Sequence, residues 1–96
     1  MTRLNPPSHS GSREQAQKLV AGLATDLTGE SVLLDCTGMT VSSPSFLDEL
    51  VKQVLVQRKA SVLDAYAASQ RTRALLERAA SNRNVAGRLR LTPRAA

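Results

Sequence analysis

Apolar residues recur every three or four positions in three stretches of the chain, and each stretch predicts an amphipathic helix. The first stretch follows Ser12 and ends at Thr28 and Gly29, which suit the end of a helix. The third begins after Ser69 and extends to about Ala80. The predicted apolar faces are Ala16, Leu19, Val20, Leu23, Ala24 and Leu27 in the first helix, Phe46, Leu47, Leu50, Val51, Val54 and Leu55 in the second, and Thr72, Leu75, Leu76 and Ala79 in the third.

The second helix carries the most complete set of local signals. Ser43 suits the N-cap, and Pro44 suits the first helical position, where a missing N–H breaks no helical hydrogen bond. Asp48 and Glu49 lie near the positive end of the helix dipole, whereas the basic pair at residues 58–59 lies near the negative end. The sequence therefore predicts a helix that begins at Ser43.

Three short runs between and after the helices predict β-strands. Residues 31–36 and 61–66 are largely apolar runs that contain an aspartate near their ends, which is typical of strands buried in a parallel sheet. Residues 88–91 alternate between arginine and leucine, which is typical of an edge strand with one solvent-exposed face. Because whole helices separate the strands, the order α-β-α-β-α-β requires parallel strands. The predicted fold is a small α/β sandwich with a mainly parallel sheet of three to four strands.

The chain predicts one small domain with short flanking segments. Its length of 96 residues fits a single domain. Residues 1–11 lack periodicity and surround a Pro-Pro pair, so we expect a flexible leader. Residues 12–92 hold every predicted helix and strand, and residues 93–96 form a tail that starts with a proline.

The edges of the predicted sheet need a covering element. Three parallel strands leave two edges open, and the strand at residues 32–35 is strongly apolar. A short strand from the leader, a strand from residues 39–41 or a partner would cover it. Because Pro6 and Pro7 cannot donate ladder hydrogen bonds, we expect a two-fold dimer unless one of those segments folds over the edge.

Composition excludes several classes of protein. Charged residues make up 22% of the chain and hydrophobic residues 42%, which is typical of a globular domain rather than of a disordered polyampholyte. No apolar stretch of about 18 residues predicts a membrane span, and the first dozen residues lack the apolar segment of a secretory signal. A single cysteine with a single histidine disfavours a disulfide or a zinc site made by this chain alone. We expect a cytoplasmic protein with no metal, no cofactor and no membrane partner.

Charge is distributed unevenly along the chain. Residues 1–57 hold four Lys/Arg and six Asp/Glu, whereas residues 58–96 hold nine Lys/Arg and two Asp/Glu. The basic part predicts either a solvated face or a surface for an anionic partner, with an acidic protein ahead of duplex nucleic acid. Stacking on single strands is disfavoured because Phe46 and Tyr66 are the only aromatic side chains. The arginine set consists of Arg71, Arg73, Arg78, Arg83, Arg88, Arg90 and Arg94.

The segment from Val32 to Leu50 carries the most specific motif. It reads Val-Leu-Leu-Asp-Cys-Thr-Gly-Met-Thr-Val-Ser-Ser-Pro-Ser-Phe-Leu-Asp-Glu-Leu. This segment resembles the STAS superfamily of sulfate-transporter and anti-sigma-factor-antagonist domains, in which a strand ending in Asp-Leu-Ser-Gly-Val precedes a helix that opens Asp-Ser-Ser-Gly-Leu. It is more similar still to short bacterial STAS-like proteins of unassigned function, whose helix opens Ser-x-Ser-Phe-x-Asp-Glu-Leu. With the flanking elements, the resemblance covers roughly residues 13–92.

The resemblance implies a regulatory module that docks on a GHKL-type ATPase, either an anti-sigma serine kinase or a sensor histidine kinase. Ser45 falls on the serine that STAS regulators present to the kinase, so it is the candidate phosphoacceptor. This sequence departs from the pattern at Ser43, Pro44 and Phe46, which replace an aspartate, a serine and a glycine. The N-terminal hairpin of a full STAS domain has no counterpart in residues 1–11. The candidate partner-binding residues are Ser42, Ser43, Asp48 and Glu49.

The serines at this helix start also have a plainer interpretation. A phosphate on Ser45 would meet free amides at the positive end of the helix. Serine is, however, a common cap, so Ser42, Ser43 and Ser45 are more simply interpreted as starting the helix. Pro44 removes one amide, and the two carboxylates that follow would repel a phosphate.

Candidate catalytic residues are few. Cys36 lacks an accompanying acid and base, and His9 lies in the leader, so we interpret Cys36 as a small core residue. Asp35 and Asp64 stand at equivalent strand ends, but no glycine-rich loop follows either. We expect both aspartates to accept hydrogen bonds from backbone amides in turns. An enzyme is therefore disfavoured, and the alternative to a protein-binding module is a nucleic-acid-associated regulator that uses the arginine set.

Overall fold

The computed structural model describes residues 2–94 as three helices and six strands. The helices are α1 (Arg13–Val20), α2 (Pro44–Val51) and α3 (Gln70–Asn82). The strands are β1 (Thr2–Leu4), β2 (His9–Ser10), β3 (Ser31–Asp35), β4 (Val41–Ser42), β5 (Val62–Tyr66) and β6 (Leu89–Thr92). Helix α2 continues into a π-helical stretch at Lys52–Gln57, and a 3-10 turn at Ala86–Arg88 precedes β6.

Four strands form one parallel sheet in the order β1-β3-β5-β6. The strands follow one another in a single direction across the sheet, so right-handed crossovers place all three helices on the same face. Burial agrees with this arrangement, because Val32 and Leu34 are fully buried whereas Leu33 between them is only half-buried. The predicted fold class, a small α/β protein with a mainly parallel sheet of three to four strands, is confirmed.

The prediction that residues 1–11 lack regular structure is wrong for the residues described. Strand β1 lies along β3, with Leu4 opposite Leu34, and β2 pairs with β4 in a separate two-stranded sheet. Leu4 is 4% exposed and belongs to the core, so the folded unit begins before residue 12. The two prolines lie between the strands, where no ladder bond is required of them.

Strand β1 covers the edge of β3, so of the covering elements considered it is the leader that supplies the strand. The dimer was predicted because this edge was expected to be open, and the pairing of β1 with β3 removes that argument for it. The strands that form the two edges of the sheet are β1 and β6. The prediction that β6 is an edge strand is confirmed. Ala95 and Ala96 of the predicted tail lie outside the described residues.

Helix α1 ends earlier than its apolar pattern predicts. Ser12 caps it with Gln15 in a reciprocal capping box, but the helix stops at Val20. Gly22 lowers helix stability, and the Asp26 side chain accepts the Thr28 N–H at 2.9 Å, which favours a turn over a helix. Leu27 is nevertheless buried, so the pattern identified a core residue correctly and its secondary structure incorrectly.

Helix α2 lies in the middle of the helical layer and packs against both α1 and α3. Its N-cap is Ser43, whose side chain accepts the Phe46 N–H at 3.1 Å, and Pro44 occupies the first helical position. The whole predicted apolar face has no exposed surface, so its burial is confirmed. That face consists of Phe46, Leu47, Leu50, Val51, Val54 and Leu55.

Candidate functional site

Residues 8–10 hold the loop that precedes α2. The N–H groups of Thr40 and Val41 both donate to the Ser8 carbonyl at 2.9 Å, and the Ser43 N–H donates to the Ser10 carbonyl at 2.9 Å. These bonds extend the pairing of β2 with β4 up to the N-cap of α2. The segment expected to be a loose leader thus positions the predicted site.

Ser42 lies behind the helix start rather than on its surface. Its side chain is 6% exposed, and its hydroxyl lies 2.8 Å from the Thr72 hydroxyl of α3. Arg71 also reaches the Ser42 carbonyl, at 3.4 Å. The prediction that Ser42 contacts a partner directly is therefore wrong, because its side chain ties β4 to α3.

Ser45 has the accessibility that a modified residue needs. It is exposed at the second position of α2, one residue after Pro44. Its hydroxyl has no hydrogen-bond partner within residues 2–94, whereas Ser43 is occupied as the cap and Ser42 is buried against Thr72. The three serines thus have three different environments, and only the Ser45 hydroxyl is open to solvent and unused.

Two arginines neutralise Asp48. Arg83, at the end of α3, donates to its two oxygens at 3.0 and 2.8 Å, and Arg13 of α1 donates at 2.9 Å. These contacts, those of Arg83 foremost, lower the Asp48 pKa from its ordinary 3.8 to about 2. Asp48 remains ionised at neutral pH, but its charge is already paired inside the molecule, which leaves it weak as a partner contact.

Glu49 is an interior carboxylate. Its side chain is 1% exposed and accepts from Gln53 at 2.8 Å and from Gln17 at 3.3 Å. Arg13 donates at 3.3 Å, and Lys52 lies 3.7 Å away. Hydrogen bonds from these side chains, Gln53 first, lower its pKa. The prediction that Glu49 binds a partner is wrong because the side chain holds α1 to α2 from inside.

A groove of about 170 Å³ lies beside Ser45, between the start of α2 and α3. Its lining brings together Ser45, Asp48, Leu75 and Arg78. Arg13 enters it from α1, so two guanidinium groups and one neutralised carboxylate border the serine. The arrangement suits an added phosphate better than the sequence suggested, because the local arginines outnumber the carboxylates in the groove.

The arginine set divides between structural and surface roles. Arg88 donates to the Leu55 carbonyl at 2.7 Å and also to the Ala60 carbonyl, so its assignment to a surface for anions is wrong. Arg83 is engaged with Asp48. The members that remain exposed are Arg71, Arg73 and Arg78 on α3, Arg90 on β6 and Arg94 after it.

The other candidate residues serve the fold. Cys36 is buried, donates to the Leu34 carbonyl at 3.7 Å and has its pKa raised by burial to about 11, as a core cysteine would. Asp35 accepts the Thr37 N–H at 3.0 Å, which confirms its turn role. The same expectation is wrong for Asp64, which accepts from the Thr92 hydroxyl at 2.7 Å across the sheet.

Sequence reasoning missed the pairing of two arginines, Arg13 and Arg83, with Asp48. Arg13 and Arg83 lie far apart in the sequence, and only the packing of α1 and α3 on either side of α2 brings them to Asp48. No local signal marked this pairing, because the acidic pair of α2 already has Lys52 three and four positions later, at the spacing of helical ion pairs.

Comparison with protein-family models, with curated proteins and with solved structures gave no match. Within residues 2–94, no three histidine, cysteine, aspartate or glutamate side chains form a group that could hold a metal ion. The helices of the same range are all too short or too polar to cross a membrane.

Proposed function

We propose that this chain is a non-enzymatic, STAS-like regulatory module of the cytoplasm that binds a GHKL-type kinase through the start of α2. The observation that carries the proposal is the free, exposed hydroxyl of Ser45 at the edge of an arginine-bordered groove. The STAS resemblance supplies the class of partner. Ser45, the predicted phosphoacceptor, is exposed, and the predicted contact residues Ser43 and Asp48 are half-buried. The proposed docking surface is therefore the first turn of α2 with the adjoining part of α3.

Phosphorylation of Ser45 would act as the switch. A kinase partner would transfer the γ-phosphoryl group of ATP to Ser45 Oγ, with the hydroxyl proton passing to a base of the kinase and ADP leaving. The phosphate would add up to about two negative charges next to Arg13 and Arg78. Such a change would draw the Arg78 guanidinium from a bound partner to the phosphate, which weakens docking.

Reconstitution with the GHKL kinases of the native host, expressed one at a time, tests this function. We expect one of them to transfer phosphate from ATP to the wild-type chain and to Ser81→Ala, but not to Ser45→Ala. Ser81 is the matched control because it is an exposed serine on α3. Phosphate incorporation by Ser45→Ala at the wild-type level would contradict the proposed site.

Binding to the same kinase tests the switch separately. Ser45→Asp should weaken binding about tenfold or more relative to Ser45→Ala, because added charge rather than hydroxyl loss is the signal. Equal affinities of the two variants would mean that Ser45 has no part in the control of docking.

A nucleic-acid-associated regulator is the alternative, and the structure supports it less. Arg83 and Arg88 are committed to contacts inside the molecule, so the arginine set contributes fewer free charges than its sequence suggests. The salt dependence of DNA binding separates the two functions, since phosphate contacts give a steep slope. Absence of binding at low salt would remove the alternative.

A further inference from the structure

Strand β6 forms an edge of the main sheet and leaves backbone groups without a strand partner. The Thr92 carbonyl accepts the Ala67 N–H at 2.9 Å, so the backbone of Thr92 faces β5. Backbone direction alternates along a strand, so Arg90 also faces β5 and Leu91 faces outward. The Leu89 N–H is bonded to Ala86, but its carbonyl faces outward too. The edge therefore offers the Leu91 N–H between two carbonyl acceptors.

A groove runs beside this edge on the helix-facing side of the sheet. Its volume is about 560 Å³, and it lies between α3 and β6. Leu89 and Leu91 form its apolar wall and are each only half-buried. A strand added to β6 would direct every second side chain into this groove and the others toward the opposite face.

The charges around the edge are mostly positive. Arg78 borders the groove, and Arg90 projects from the opposite face of β6, in register with Asp64. The side chains of Arg90 and Arg94 have no hydrogen bond or ion pair within residues 2–94. Glu77 is the acidic side chain of the groove lining. An acidic partner is therefore favoured over a basic one.

We propose that the edge of β6, with the groove against α3, binds an extended segment of a partner protein in which apolar and acidic residues alternate. The apolar side chains occupy the groove beside Leu89 and Leu91, and the acidic ones face Arg90. A second copy of this chain is disfavoured as the occupant, because pairing of two β6 edges would bring identical basic strands together. Arg78 lines both this groove and the groove beside Ser45, whereas the other lining residues differ. The proposal does not depend on the function proposed for the start of α2.

Binding of a fluorescein-labelled peptide of about ten residues, alternating valine and glutamate, tests the proposal by fluorescence anisotropy at low salt. We expect saturable binding, and none by a peptide that alternates valine and lysine. Arg90→Glu should weaken binding about fivefold or more. Lys18→Glu makes the same charge change on the exposed side of α1 and should leave affinity within about twofold. Equal weakening by both variants would show attraction to net charge alone and overturn the proposal.

Two further peptides test strand addition without altering the protein. One carries N-methyl groups on all valine amides and the other on all glutamate amides, so each removes one of the two rows of backbone donors. In a parallel strand the glutamate amides meet β6, and in an antiparallel strand the valine amides do. We expect one peptide to lose about tenfold or more in affinity and the other to bind as before. Equal affinities of the two peptides would exclude strand addition and overturn the proposal.

Discussion

Helices α2 and α3 begin with the same chemistry and lie in different surroundings. Ser43 accepts the Phe46 N–H at 3.1 Å, and Ser69 accepts the Thr72 N–H at 3.2 Å. Helix α2 packs between two other helices, however, while α3 has α2 on one side and exposed arginines on the other. The cap therefore determines where each helix begins, and the number of neighbours determines how much of its circumference is buried.

The carboxylates of the two helices show the same contrast. Glu49 of α2 is 1% exposed and needs its partners inside the protein, whereas Glu77 of α3 is exposed to water. A glutamate on the central helix is thus buried and bonded to side chains of the protein itself, since a buried charge is tolerated only when it is paired. Substitutions in α2, each with a matched change in α3 where one exists, test this difference.

Truncation of a leucine should give the largest difference in stability loss between the two helices. Leu50 of α2 is fully buried, so Leu50→Ala should lower the free energy of unfolding by about 2–5 kcal/mol. Leu75 of α3 is half-buried, so Leu75→Ala should cost about 1 kcal/mol. Urea denaturation measures both. Similar losses in the two variants would mean that α2 is not the central helix of the layer.

Replacing a glutamate by glutamine should give the next largest difference in stability loss between the two helices. Glu49→Gln keeps the shape of the side chain but replaces an acceptor with an amide that faces Arg13 and the donors of Gln17 and Gln53. We expect it to cost about 1.5–3 kcal/mol in the free energy of unfolding. Glu77→Gln, the matched change on α3, should stay within about 0.5 kcal/mol. A Glu49→Gln protein as stable as the wild type would contradict the internal role of this side chain.

The ion pair between the two helices should make stability depend on pH. The Asp48 pKa is lowered to about 2 by Arg83 and Arg13, so its contribution is complete above its unfolded pKa and is lost as the pH falls toward 2. This shift corresponds to roughly 2 kcal/mol at neutral pH. Asp48→Asn should remove the contribution, so the stability difference from wild type should shrink as the pH falls from about 5 to 2. A difference that stays constant over this range would exclude the Arg83–Asp48 pair as its source.

Removal of the caps should have the smallest effect and should not distinguish the helices. Ser43→Ala and Ser69→Ala each lose one side-chain acceptor for a free amide and should each cost about 1 kcal/mol. Thermal or urea unfolding of the two variants measures this. A much larger loss at Ser43 would indicate that the neighbouring β2–β4 pairing contributes to the cap.

Local and periodic features of this protein were determined by its sequence. The start of α2 at Ser43, its buried face, the strands that became β3 and β5, and the outward arginines of α3 all follow from caps and from the spacing of apolar residues. These features depend on neighbours along the chain or on the two-residue and 3.6-residue periods, which are readable without a structure.

Contacts between distant segments were decided only by the tertiary structure. Pairing of residues 2–4 with β3 depends on a partner about thirty residues away, and three residues are too few to show a period. Glu49 and Ser42 became internal, and Arg88 became a structural donor, because packing of the helical layer and the sheet surrounds them with protein. The local sequence does not predict that a polar side chain will be buried, because its burial depends on which elements pack beside it and on whether they supply hydrogen-bond partners.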